Sequence, residues 1–125
     1  MKIIFLVGVG GASGSILRYL VYIFTTKYLN FVYPLQTLFV NILGCLLMGI
    51  FVELFNSKLS ISNELKYFLL LGILGGFTTF SAFSADFFNI INRGGYLEAF
   101  GYIFISVSLS LLAFFLGAYI TKVLL

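Results

Sequence analysis

Asn41 and Thr37 are the first candidates for chemistry, because both are polar and stand in an apolar run one helical turn apart. An amide inside an apolar span must be satisfied, either by a hydrogen bond to another helix or by a ligand. The two N–H donors of Asn41 could bind an anion without bringing a full counter-charge.

Phe80 and Phe83 form a second pair at helical spacing, and Ser81 and Ser84 repeat that spacing one position later. An aromatic ring has a negative face and a positive edge, so two ring edges could meet a small anion. Core packing is the alternative for the rings. The hydroxyls could donate to a passing anion or bond back to the backbone.

Ser106 and Ser110 lie four residues apart near the end of the chain and therefore share a helical face. This stripe could flank a polar pathway or join two helices, and the sequence favours neither. Arg18 stands within the first apolar span, where an arginine must reach the interface, pair, or attract anions.

Enzymatic chemistry has little support, because the chain has no histidine and no paired carboxylates or nucleophile–base set. The charge of +3 comes from isolated residues rather than a basic run, which argues against nucleic-acid binding. The single cysteine, Cys45, excludes an internal disulfide and is interpreted as a small packing residue.

The composition is that of a membrane protein, with 62% hydrophobic and 9% charged residues. A soluble domain usually carries about 25% charged residues. Segments of about 20 apolar residues can cross a bilayer as helices. The sequence predicts an all-α membrane protein with a single domain, 1–125, of four transmembrane helices at about 3–25, 34–55, 64–91 and 96–123. The first segment is too long for a signal peptide, so we interpret it as a retained span.

Residues 72–84, GILGGFTTFSAFS, predict a break in the third span near mid-membrane. Glycines and hydroxyls suit irregular backbone, which at membrane depth must pack in protein or line a cavity. Other glycines, such as Gly10 and Gly14 in the first span and Gly44 and Gly49 in the second, are typical of close helix packing.

The connections are predicted to be short, at 27–33, 56–63 and 92–95, so consecutive helices should be antiparallel neighbours. Ser62 or Asn63 is placed to cap the third helix. Four spans put both termini on one side, with Lys2, Lys58, Lys66 and Lys122 there and Lys27 and Arg93 opposite. This weak bias permits both orientations in the membrane, and hence an antiparallel dimer.

Three segments together resemble the Fluc (CrcB) family of bacterial fluoride channels. They are GGASGSILRY at 10–19, TLFVNILGCLLMG at 37–49 and GILGGFTTFSAFS at 72–84. The resemblance covers nearly the full chain, and the GGFTTFS run is its most specific part. Some relatives have threonine where this chain has Ala82.

The resemblance implies passive, fluoride-selective export across the bacterial inner membrane, which relieves fluoride toxicity. It implies an antiparallel, dual-topology homodimer in the bilayer, with two pathways built from both subunits. The pathway residues would be Arg18, Thr37, Asn41, Phe80, Ser81, Phe83, Ser84 and Ser110. A structural sodium ion at the dimer centre would be held by backbone carbonyls, placed on Gly75 and Thr78.

Two other functions are compatible with four short apolar spans. A small multidrug or guanidinium exporter needs a membrane-embedded glutamate in its first helix, where this chain has Arg18 and no acidic residue. A non-transporting assembly subunit would explain the glycines and serines as packing residues. It gives no reason for Asn41, the phenylalanine pair and the broken third helix to occur together.

Overall fold

The computed structural model describes residues 1–30, 34–57 and 61–125, which are mainly helical. The elements are α1 (Lys2–Leu29), α2 (Leu35–Asn56), α3 (Asn63–Tyr67), a π-helical segment (Phe68–Leu74), α4 (Gly75–Phe77), α5 (Phe80–Asn92) and α6 (Tyr96–Leu124). Within the described ranges, four stretches are long and apolar enough to cross a membrane: α1, α2, the third span Asn63–Asn92, and α6. The prediction of an all-α, multi-pass membrane protein is confirmed.

The helix ends follow from local hydrogen bonds. α1 continues past residue 25, and the hydroxyl of Thr25 bonds back to the Val21 carbonyl rather than ending the helix. Asn30 ends it in the left-handed conformation, at φ 52°. Ser62 caps α3 by accepting the N–H of Leu65 at 3.3 Å. Parts of two predicted connections, residues 31–33 and 58–60 with Lys58, lie outside the described residues.

The most extensive packing joins helices that are not consecutive, α1 with the third span and α2 with α6. Consecutive helices also touch, but over less of their length. Glycines set this arrangement. A Cβ added to Gly10 would lie 2.8 Å from the Phe68 carbonyl oxygen, and one added to Gly49 would lie 3.0 Å from the Ala118 nitrogen. Backbones therefore approach where side chains are absent.

The third span departs from α-helix twice, first in the π-helical segment and then at Thr78 and Thr79. These two threonines have extended backbone, with φ −76° and ψ 156° at Thr78 and φ −152° and ψ 118° at Thr79. The hydroxyl of Thr79 accepts the N–H of Ala82 at 3.1 Å and so starts α5. Phe83, Ile90, Ala99 and Tyr102 then form a buried cluster that fixes α5 against α6.

Candidate functional site

A cavity of about 290 Å³ lies where α2, the two threonines, α5 and α6 meet. Four of the predicted pathway residues line it, namely Asn41, Phe80, Phe83 and Ser110. They come from three helices that are distant in sequence. The other polar residues of the lining are Cys45, Thr78, Thr79 and Ser106. The surface of the cavity is nevertheless mainly apolar, and its apolar residues are Phe80, Phe83, Val107 and Leu111.

The side chain of Asn41 both accepts a hydrogen bond from the backbone of Thr79 and donates one to it. Its Oδ1 accepts the Thr79 N–H at 2.9 Å, and its Nδ2 donates to the Thr79 carbonyl at 3.0 Å. The hydrogen-bond partner of the side-chain amide is thus a residue 38 positions away in the sequence. One of its two N–H donors remains for another partner.

The two phenylalanines differ sharply in exposure. Phe83 is buried, whereas Phe80 is 77% exposed. Their ring centroids are 5.3 Å apart with planes tilted by 41°, and Phe83 lies 5.3 Å from the ring of Tyr102. One ring is therefore fixed by the protein core, while the other stands at the open side of the cavity.

Comparison with known proteins identifies the family of this chain. A model of the family described as "CrcB-like protein, Camphor Resistance (CrcB)" matches residues 5–118. The chain belongs to the CrcB family. A relative from Rhizobium meliloti (strain 1021) is 45% identical over 94% of each chain, and one from Flavobacterium psychrophilum is 43% identical over 98% of each. A Nitrobacter winogradskyi relative is 46% identical over 94% of each. All three are named "Fluoride-specific ion channel FluC".

The segments that carried the resemblance to the CrcB family lie against one another in the fold. Gly10 and Gly14 of the first contact the third, and Gly44 of the second faces Thr78 and Phe77. A Cβ at Gly44 would lie 3.2 Å from the ring of Phe77. The motifs therefore describe one packed unit around the extended threonines.

The serines of this CrcB-family chain have unlike environments. Ser106 is buried at the cavity wall, and its Oγ has no hydrogen-bond partner among the described residues. Ser81 and Ser84 are exposed, outside the cavity lining. The Ser84 hydroxyl donates back to the Phe80 carbonyl at 3.0 Å, and the Ser81 hydroxyl bonds that of Thr79 at 3.2 Å.

Arg18 and Thr37 do not line the cavity. Arg18 Nη1 donates to the Thr78 carbonyl at 3.4 Å, which brings its guanidinium to the edge of the site. Thr37 is buried and shares a hydrogen bond of 3.1 Å with the hydroxyl of Tyr22. Tyr22 also lines a second cavity, of about 400 Å³, with Tyr19, Ile23, Thr26 and Lys27.

Gly75 and Thr78 carry the carbonyls predicted to bind sodium; Gly75 is the first residue of α4, and Thr78 follows its last residue. In an unbroken helix the Gly75 carbonyl would accept the N–H of Thr79, and the Thr78 carbonyl that of Ala82. Those two N–H groups bond Asn41 and the Thr79 hydroxyl instead. Both carbonyls are thereby released from their helical donors.

The sequence did not predict Tyr102 or Tyr22 as residues of the site, and it predicted only a packing role for Cys45. Tyr102 donates its hydroxyl to the buried Asp86 carboxylate at 2.9 Å. A signal for Tyr102 was available, because it precedes the Ser106 and Ser110 pair by one more helical turn on the same face.

Proposed function

We propose that this protein is a fluoride-selective channel that exports fluoride passively across the bacterial inner membrane. The observation that carries the proposal is the cavity shared by Asn41, Phe80, Phe83 and Ser110, in a chain whose relatives are named fluoride-specific ion channels. The protein is a transport protein and not an enzyme.

The cavity lining suits a small, strongly hydrated anion. Such an ion needs compact donors in place of water, and conduction needs each site to be weak enough to release it. Asn41 keeps one N–H for this purpose. The hydroxyl of Ser106, which has no partner in the part of the chain that the structure describes, is a second donor beside Ser110. The edges of the phenyl rings supply weaker positive charge and exclude water.

Polar residues outside the cavity extend the pathway in this proposal. Arg18 attracts anions at the edge of the site, where its guanidinium already meets the Thr78 carbonyl. Thr37 lies one helical turn before Asn41 on α2. Ser81 and Ser84, exposed on α5, would border the pathway outside the cavity.

The functional unit in our proposal is an antiparallel homodimer inserted in both orientations, with two pathways that use residues of both subunits. The 77% exposure of Phe80 supports this, because a ring that must border a pathway needs a second wall. Gly75 is exposed on the same broken span, so a second copy can approach its backbone. The near balance of positive charge permits both orientations.

A sodium ion at the dimer centre fits the residues present. The carbonyls of Gly75 and Thr78 have lost their helical donors at the break that we place near mid-membrane, and hard cations prefer oxygen ligands. The Thr78 carbonyl also accepts Arg18 Nη1 at 3.4 Å, which leaves the second lone pair of that oxygen for a cation. When bound, sodium would supply fixed positive potential beside the anion pathway.

The physiological direction follows from acid–base chemistry. Fluoride enters a cell as the neutral weak acid and ionises inside. The negative interior then favours exit of the anion through a passive channel. Export of this kind would relieve fluoride toxicity.

Efflux from liposomes tests the proposal, with a fluoride electrode beside a chloride electrode. We expect rapid fluoride loss and negligible chloride loss from the parent protein, and no fluoride loss from Phe80→Ile that still forms a dimer. Phe88→Ile is the matched control, because Phe88 is 61% exposed on the same helix and lies outside the cavity lining. Absence of flux from folded parent dimer would support a non-transporting assembly subunit instead.

A further inference from the structure

The pair of hydrogen bonds between Asn41 and Thr79 has a strict conformational requirement. Asn41 reaches both the N–H and the carbonyl of one residue, at 2.9 and 3.0 Å. In an α-helix these two groups point in opposite directions along the axis. In extended chain they point to the same side, as in a hydrogen-bonded pair of an antiparallel ladder. The amide of Asn41 therefore fits Thr79 only when Thr79 is extended.

One bond of this pair diverts a backbone N–H from the carbonyl that it would meet in a continuous helix. The Thr79 N–H is the group that would bond the Gly75 carbonyl if the third span were continuous. Asn41 Oδ1 takes that N–H, and the Thr79 hydroxyl takes the N–H of Ala82, the helical partner of the Thr78 carbonyl. Gly75 and Thr78 are thus the two carbonyls whose donors are diverted by identified acceptors.

Asn41 also lines the cavity with Phe80 and Phe83, so a single side chain contacts both the anion pathway and the backbone of the break. One donor of its amide is already used by the Thr79 carbonyl. Its role is therefore wider than that of a donor to the anion. Ser110 lines the same cavity from α6 but, among the described residues, makes no hydrogen bond to Thr78 or Thr79, so it serves as the comparison.

We propose that Asn41 is a positioning residue for the cation site. Its amide selects the extended conformation of Thr79 and so leaves the Gly75 and Thr78 carbonyls available to sodium. The inference rests on the proposed channel function with its central sodium ion. It adds that the cation site and the anion pathway depend on one side chain of α2.

Sodium-dependent stability of the purified dimer tests the inference separately from flux. Thermal unfolding is followed by far-UV circular dichroism while sodium chloride replaces N-methylglucamine chloride. Removing an outer partner of a metal ligand usually lowers metal affinity about 10–100-fold. We expect Asn41→Leu to raise the half-saturating sodium concentration at least about tenfold, and Ser110→Ala to leave it unchanged within about twofold. Both substitutions should slow fluoride efflux.

Hydrogen exchange at the Thr79 amide gives a second readout. The amide should be protected in the parent and in Ser110→Ala, and should exchange faster in Asn41→Leu. If Asn41→Leu does not yield a dimer, Asn41→Ala replaces it, since alanine also removes both bonds to Thr79 and adds no bulk. A raised half-saturating sodium concentration in that variant supports the inference as well.

The outcomes separate the two proposals. Absent fluoride efflux from the folded parent dimer would overturn the channel function. If the parent conducts fluoride but its thermal stability does not depend on sodium concentration, the cation site is overturned, and this inference with it. Unchanged sodium affinity in an Asn41 variant with slow efflux would make Asn41 a pathway residue alone.

Discussion

The two halves of the third span are held in place by different kinds of contact. The first half, Asn63–Phe77, lies on α1 through backbone contacts at glycines, including Gly10 and Gly14. The second half, Phe80–Asn92, lies against α6 through side chains, with Phe83 on Tyr102 and Asp86 bonded to the Tyr102 hydroxyl. The extended Thr78 and Thr79 separate the halves.

This difference indicates what each half can tolerate. Where two backbones are in contact, there is no space for an added side chain, whether it is polar or apolar. Where side chains meet, the volume can be kept and the hydrogen bond becomes the sensitive part. The first half should therefore respond to size and the second half to polarity.

Gly14→Ala should have the largest effect. The new Cβ would lie 2.9 Å from the Phe77 nitrogen and closer still to the Ile73 carbonyl oxygen, so α1 and the third span must separate. We expect a loss of about 3 kcal/mol in the free energy of unfolding, at the upper end of the usual overpacking range. Denaturant unfolding followed by far-UV circular dichroism measures it.

Gly8→Ala is the control for that substitution, because a Cβ at Gly8 would have no atom of the described residues within 4 Å. It should leave stability unchanged or slightly raised, since alanine is the better helix former. Equal stability of the two variants would show that the first half is not limited by size.

Tyr102→Phe should have the next largest effect, in the second half. It keeps the ring that packs on Phe83 but removes the donor to the buried Asp86 carboxylate. An unsatisfied buried acceptor costs about 1–3 kcal/mol. The same unfolding assay applies, with Tyr96→Phe on the same helix as the control because Tyr96 is 63% exposed. A neutral Tyr102→Phe would contradict a role for polarity here.

The fold was predictable where the signal is local. Runs of apolar residues predict the spans, and Ser62 ahead of Asn63 predicts the cap that Ser62 forms. The length of α1 was not predictable in this way, because the Thr25 hydroxyl bonds back to its own helix and Asn30 supplies the left-handed end. Nor was the pairing of α2 with α6, which depends on where glycines of distant segments meet.

The candidate site was predictable in residue type but less so in arrangement. Spacing put Phe80 and Phe83 on one helical face, yet only Phe83 is buried, since α6 covers that side alone. The sequence also predicted Ser81, Ser84 and Ser110 alike as pathway residues, although only Ser110 lines the cavity. The partner of Asn41 lies 38 residues away, and nothing local to α2 identifies it.

Thr79→Val should have a moderate effect at the junction of the halves. Valine keeps the shape and the preference for extended backbone but cannot accept the Ala82 N–H. Loss of a helix cap of this kind costs about 1 kcal/mol. Thermal unfolding compares it with Ser84→Ala, whose exposed hydroxyl only bonds back within α5. A Thr79→Val no less stable than Ser84→Ala would mean that Asn41 alone starts the second half.

Ser15→Ala should have the smallest effect, and it tests the comparison most directly. The Ser15 hydroxyl is exposed and reaches the Gly76 carbonyl at 3.4 Å, the long limit of a hydrogen bond. Ser15 follows Gly14 on α1. Gly14→Ala, which adds a carbon, and Ser15→Ala, which removes an oxygen, therefore probe the same interface. We expect the free energy of unfolding to change by less than about 0.5 kcal/mol, as for most exposed sites. A loss comparable to that of Tyr102→Phe, measured by the same denaturant unfolding, would show that hydrogen bonds hold the first half too, and the two halves would no longer differ in kind.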